Sequence, residues 1–139
     1  MKKVYALSMK QPWAMLLVHG RKTIEVRSWA TKRRGPVLIH AARVPDPRPE
    51  AWAHVPPEWR EEARLGGGMI GAADLTGVVI YRTPQLFVAD QALHLNDPSW
   101  FKPPCLYGFV FASARPLSFR LYPGNVRFFT VKDATETPA

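Results

Sequence analysis

The sequence predicts one mostly β domain of α+β character, with five to seven strands and two or three short peripheral helices. Three observations carry that expectation. Apolar segments are short, and the 14 Pro and 9 Gly of the 139-residue chain separate them as turn and loop markers. Only one early stretch, with Trp13, Leu16 and Leu17 at i, i+3 and i+4, has a clear helical stripe. The other apolar runs alternate with polar residues or are continuous over a strand's length.

The length favours a single domain over residues 1–132, because two domains would each have too little core. Residues 133–139 carry no large apolar side chain and read as a disordered tail. In chain order, Val4 to Met9 reads as a short strand. Pro12 opens a helix that Gly20 stops. Lys22 to Trp29 alternates, with Ile24 and Val26 on one face and Glu25 and Arg27 on the other. A run from Val37 to Ala42 suits a buried strand. A proline-rich loop from Val44 to Pro57 precedes a short helix at Glu58 to Leu65. Met69 to Tyr81 reads as a long strand, with Gly71 and Gly77 marking bulges or bends. Arg82 to Pro104 is a long aromatic loop with a weak helix around Ala89 to Leu95. Strands at Tyr107 to Ala112, Leu117 to Tyr122 and Val126 to Lys132 close the domain.

Composition narrows the class further. The apolar run from Trp13 to Val18 is far short of the roughly 20 residues a membrane span needs, and no signal-peptide pattern surrounds it. Cys105 is the only cysteine, and the four histidines show no metal-ligand spacing, so no metal is expected. The expected compartment is the cytoplasm. Lys and Arg outnumber Asp and Glu by 19 to 11, and most of the cations are Arg, the side chain best shaped to grip phosphate. A basic domain with five Trp fits nucleic-acid binding, with cations on phosphates and rings on bases; a solubility surface explains the charge equally well.

One segment is more specific. Gln11-Pro12-Trp13-Ala14 is followed by Gly20-Arg21-Lys22-Thr23-Ile24-Glu25-Val26-Arg27-Ser28-Trp29, in which the charged positions spell G-x-K-x-x-E-x-R. With Ser8 ahead, Gly35 to Ala41 behind, and Trp100-Phe101, Tyr107 to Phe111 and Arg115 to Leu117 further on, the chain resembles the ASCH family of PUA-like β-barrels. The resemblance implies a small barrel with a cleft lined by the Lys, Glu and Arg of the motif. It also implies a partner of RNA, a nucleotide or a modified nucleoside, with no cofactor. Some family members are enzymes, an amidohydrolase on acetylated cytidine and a metal-dependent ribonuclease among them, so the resemblance alone does not select a role.

The residues can be read beside that label. Glu25 and Arg27 lie two apart on a strand, ~7 Å along the backbone, so they share a face. Lys22 has the other parity and joins them only from the turn after Gly20. With Trp13 and Trp29 they offer cations for phosphate, a carboxylate for a base amino group and rings for stacking. Arg21, Lys32, Arg33 and Arg34 would extend the phosphate path. The plainer reading pairs Glu25 with Arg27 on an amphipathic strand.

In the rival enzyme class, Lys22 and Glu25 act as an acid/base pair. The family amidohydrolase's Thr nucleophile does not carry over, because Glu25 stands at that position. A protein adaptor docking through Arg82 to Pro104 is the third class. His40 reads as a core or rim histidine, and Asp74 as a buried hydrogen-bonding group or a catalytic one. Trp100, Phe101 and Tyr107 read as a lid or as core, with Phe101 on the core side. Ser8 reads as a helix cap or pocket wall and not as a nucleophile, because no His/Asp arrangement is legible around it.

Overall fold

The structure, a computed structural model, describes residues 3–132; the tail expected over 133–139 lies outside the described residues. Six strands form one mixed sheet, β1 (Val4–Met9), β2 (Ile24–Arg27), β3 (Gly35–Ala41), β4 (Gly68–Tyr81), β5 (Leu106–Leu121) and β6 (Phe128–Val131). Their order is β2-β5-β4-β3-β1-β6, and the sheet curls strongly into a half-barrel. Only β1 and β3 run parallel, with Ser8 opposite His40. The other pairs are antiparallel.

Curvature comes from irregular pairing. The β4–β5 ladder shifts register at Met69/Gly71, Ala72/Asp74 and Leu75/Gly77, which places breaks at both glycines singled out in the sequence. These shifts let strands of 14 and 16 residues bend instead of splitting. The two strands expected on either side of Ala114-Arg115-Pro116 are therefore one strand, β5. Pro116 is tolerated where it faces Gly71 beside a break in the ladder.

Helix α1 (Trp13–Val18) is buried on every side and touches β1, β3, β4 and β5, so it fills the half-barrel. It ends where Gly20 takes a φ of +77°. The helices α2 (Pro49–Trp52), α3 (Pro84–Ala89) and α4 (Gln91–His94) are short and peripheral, so four α-helices replace the two or three expected. The helix expected at Glu58 to Leu65 is instead two 3₁₀ turns, Pro57–Trp59 and Glu62–Arg64. The weak helix around Ala89 to Leu95 is split at Asp90 into α3 and α4, and Thr83 caps the first of them.

The main core joins α1 to the inner sheet face through Leu7, Met15, Leu16, Ile39, Leu75 and Phe109. Gly71 is where α1 meets the sheet. A Cβ there would collide with the Val18 side chain and lie 2.6 Å from the Arg115 carbonyl oxygen. Gly71→Ala is expected to lower stability by roughly 1–3 kcal/mol through overpacking, read as a lower urea midpoint at unchanged slope.

Candidate functional site

The turn after α1 folds back on the helix, with the amides of Arg21 and Lys22 donating to the Leu16 carbonyl. This carries Lys22 beneath the sheet edge, before the alternation of β2 begins. Its side chain is 1% exposed. The ammonium donates to the His94 carbonyl at 2.5 Å and to Asn96 Oδ1 at 3.2 Å, and it stands 3.6 Å from Glu25 Oε1. It also lies 4.9 Å from the centre of the Trp13 ring. Burial drives the Lys22 pKa down to about 8 against the opposing pull of Glu25.

Glu25 is buried and its two oxygens face different cations. Oε1 faces Lys22, while Oε2 accepts from Arg27 Nε at 3.0 Å and pairs with Nη2 at 2.9 Å. Arg27 Nη2 also donates to the Ser8 carbonyl at 2.8 Å, so β2 is tied across to β1. The Glu25–Arg27 pairing of the plainer sequence reading is present, and it forms the floor of a cleft.

That cleft has a volume of about 580 Å³. Lys10, Arg27, Arg48 and Arg127 line it against two carboxylates, Glu25 and Asp46, with Trp13, Trp29 and Asn96 in its walls. Asp46 is 3% exposed and takes a fork of hydrogen bonds from Arg48, the shortest 2.7 Å, together with Trp13 Nε1–H at 2.9 Å. Burial alone would push the Asp46 carboxyl up. The bonds from Arg48 and Trp13 overcome this and hold its pKa at about 2. The Trp52 indole donates to the Asp46 carbonyl at 2.6 Å, which fixes the proline-rich loop against the cleft.

Both carboxylates are thus engaged by the protein's own cations, and the cleft presents mainly donors. Asn96 accepts from Lys22 through Oδ1, which leaves its amide nitrogen as the group available to a ligand. Two of the cleft's arginines lie over aromatic faces: Arg127 lies 4.9 Å over Trp29, and Arg48 lies 3.5 Å over Trp100. Trp29 is braced edge-on by Phe109 and Phe128.

The structure gathers Trp13, Glu25, Arg27 and Trp29 at one cleft, with Lys22 sealed beneath it. Arg21, Lys32, Arg33 and Arg34 are outside the cleft lining. Arg21, Lys32 and Arg34 are exposed, while Arg33 is half-buried 3.4 Å over the Tyr5 ring. Trp100 packs edge-on against Trp13, and Phe101 packs on Phe87 in a small separate core. Sequence reasoning misses Asp46, Arg48, Asn96, Arg127 and Lys10; the i, i+2 charge pair Asp46–Arg48 in a loop is the one legible signal. It also misses a partner for Ser8, whose hydroxyl lies 2.9 Å from His40 Nδ1, so the expected lack of a histidine neighbour is corrected. Among the described residues no three His, Cys, Asp or Glu side chains come together as a metal site, and no helix is long and apolar enough to cross a membrane.

A curled mixed sheet plugged by one buried helix, with a Lys-Glu-Arg motif at its cationic cleft, defines the class, and comparison with known proteins agrees. The ASCH domain profile matches residues 7–113, and the chain belongs to the ASCH domain family. Human activating signal cointegrator 1 is 51% identical over 45 residues, which are 32% of this chain and 8% of that protein. The mouse protein of the same name is 57% identical over 37 residues, 27% of this chain and 6% of that protein. This chain thus spans less than a tenth of either relative. The crystal structure of ASCH from Zymomonas mobilis superposes with a TM-score of 0.64 at 15% identity, covering 94% of this chain and 89% of that one. A point mutant of that protein gives 0.65 at 15% identity, over 95% and 92% of the two chains. These structures share the fold.

The low pKa of Lys22 has a stability consequence of definite sign. The unfolded chain holds the Lys22 proton up to about pH 10.4, whereas the folded chain releases it near pH 8, so this group adds stability as pH rises between the two. The stability difference between the parent and Lys22→Met should therefore shift toward the parent from pH 7 to pH 9.5, by up to about 2 kcal/mol. Urea unfolding of both proteins at the two pH values measures it, and other titrating groups cancel in the difference.

Proposed function

We propose that this ASCH domain is a nucleic-acid-binding module that takes single-stranded RNA, or a nucleotide, in the Lys10–Arg27–Arg48–Arg127 cleft. The observation that carries the reading is the surplus of cations over carboxylates in that cleft, with both carboxylates already paired. An acceptor-rich anion satisfies such a lining, and phosphate is the acceptor that matches the arginine fork.

In this reading Arg27 is held rigid by Glu25 and Ser8 and meets a phosphate or a base carbonyl. Arg127, which is exposed, gives up the Trp29 face to a base and turns to the backbone. Asn96 donates to a base edge. Glu25 acts by fixing Lys22 and Arg27, in place of the direct contact with an exocyclic amine expected from the sequence. Lys22 works from beneath the floor, and the exposed Arg21, Lys32 and Arg34 provide outlying charge.

Fluorescence anisotropy with a short labelled RNA, titrated over a range of salt, tests the reading. Affinity should fall steeply with salt, because each neutralised phosphate releases about 0.7 of a counterion on a single strand. Lys10→Ala and Arg127→Ala should each weaken binding and flatten that slope by about one contact. Trp29→Ala should cost about 1–3 kcal/mol with little change in slope, because it removes a stacking surface and no charge. A flat salt response, or binding indifferent to Lys10 and Arg127, would turn attention to a small neutral ligand or a protein partner.

A further inference from the structure

Ser8 borders two spaces. It lines the cationic cleft and also a neighbouring cavity of about 840 Å³ that takes in His40 and residues 121–126. The parallel pairing of β1 with β3 sets Ser8 directly opposite His40, and a bulge in the β3–β4 ladder falls at Ile39/His40. The extra residue of that bulge is Ile70 on β4, so β3 keeps its own alternation through His40.

The hydrogen bonds fix the protons. His40 Nε2 is 2.8 Å from the Tyr122 carbonyl oxygen, which can only accept, so Nε2 carries the hydrogen. In the neutral ring Nδ1 is then a bare acceptor, and the Ser8 hydroxyl donates to it at 2.9 Å. Burial lowers the His40 pKa against the pull of the Tyr122 carbonyl, which favours that neutral ring at pH 7. His40 itself is 2% exposed, and Gly124 closes over it: a Cβ at Gly124 would lie 2.7 Å from His40 Cε1. The imidazole is shut away from solvent, while Ser8 is half-buried and lines both cavities. Arg27 donates to the Ser8 backbone carbonyl, which brings a cation to residue 8 at the cleft.

We propose that Ser8 and His40 form a serine acyl-transfer centre that opens on the cleft and cleaves carboxylic esters. The proposal rests on the cleft reading only for where an anionic part of the substrate lies, against Arg27 and Arg127. Ser8 Oγ attacks the ester carbonyl carbon and its proton passes to His40 Nδ1. The carbonyl oxygen becomes an oxyanion beside Arg27. As the C–O bond to the alcohol breaks, His40 returns the proton to the departing alkoxide and leaves an acyl-Ser8 ester. Water, deprotonated by His40, then attacks that ester; as the acyl C–Oγ bond breaks, His40 returns the proton to Ser8 Oγ and the carboxylic acid leaves. The Tyr122 carbonyl takes the orienting part that a carboxylate plays in a triad.

The test uses the full chain and a small uncharged alkyl fluorophosphonate, followed by peptide mapping. The Ser8 Oγ–P bond forms as the P–F bond breaks, fluoride leaves, and the proton goes to His40. The expected result is an adduct on Ser8, absent from Ser8→Ala and formed at least tenfold more slowly in His40→Gln, with thermal melts reporting the fold of each variant. Hydrolysis of p-nitrophenyl acetate should follow the same order. A Ser8→Cys variant keeps His40 intact: its introduced thiol should react with iodoacetamide at pH 7 at least tenfold faster than Cys105 does. Absence of a Ser8 adduct on the folded parent, a labelling rate indifferent to His40→Gln, or a Ser8→Cys thiol no faster than Cys105 would each overturn the proposal. The probe carries neither charge nor base, so labelling is independent of RNA binding. Labelled Ser8 without RNA binding would overturn the nucleic-acid reading alone.

Discussion

The arrangement of the site depends on one buried charge. An ammonium removed from water is stable only if its donors are satisfied, and Lys22 meets that requirement with three groups from two separate parts of the chain. Glu25 comes from β2, the His94 carbonyl from the end of α4, and Asn96 from the loop that follows. The Trp13 ring, from the first residue of α1, lies alongside. Satisfying Lys22 therefore fixes where β2, α1 and α4 stand with respect to one another. It also polarises Glu25, whose other oxygen holds Arg27, and Arg27 in turn reaches Ser8 on β1. A chain of charge-assisted bonds runs from a sealed lysine to the open cleft.

A second network braces α4. His94 is completely buried, donates through Nε2 to the Phe87 carbonyl at 2.7 Å and accepts from the Asn96 amide through Nδ1 at 2.9 Å. A ring that must accept at one nitrogen is held neutral, and burial lowers its pKa in the same sense, against the pull of the Phe87 carbonyl. Protonating it would place a second cation next to Lys22. Tyr81 packs edge-on against His94 and donates to Asp90 Oδ2 at 2.7 Å, which anchors the junction of α3 and α4 to β4. The aromatic segment after β4 is thus part of the support for Lys22, and its helices carry the groups that seal the lysine in.

What can be read from the sequence follows from how local each signal is. β1 matches its expected range residue for residue, and the period of two in β2 places Glu25 and Arg27 on the same side without any coordinates. The ordered motifs identify the family because they are spread along nearly the whole chain. The depth of Lys22 is not legible: its partners lie 72 and 74 residues away, and no local pattern states that α4 folds back over the turn. Asp46 escapes notice because a proline-rich loop has no period to argue from. β5 reads as two strands because Arg115-Pro116 signals a break; the extra residues on either side of it lie on β5 itself, so the strand bulges there and runs on along β4. Ser8 and His40 are each visible on a strand. Their meeting needs the parallel pairing of β1 with β3, which strand patterns alone do not give.

The Lys22–Glu25–Arg27 network and the Ser8–His40 pair are separate hydrogen-bonded units that meet at one cleft. Glu25 directs its two oxygens at Lys22 and Arg27, and an acid/base role for the Lys22–Glu25 pair would require breaking the contacts that hold the floor together. Ser8 with His40 is a matched donor and acceptor, the serine half-buried at the cleft and the histidine buried behind it. Arg27 stands between the two, bonded to Glu25 on one side and to the Ser8 backbone on the other. A ligand drawing on Arg27 would therefore be sensed at both, through a single guanidinium that lines the cleft. The motif carboxylate is best understood as the group that keeps that guanidinium in place.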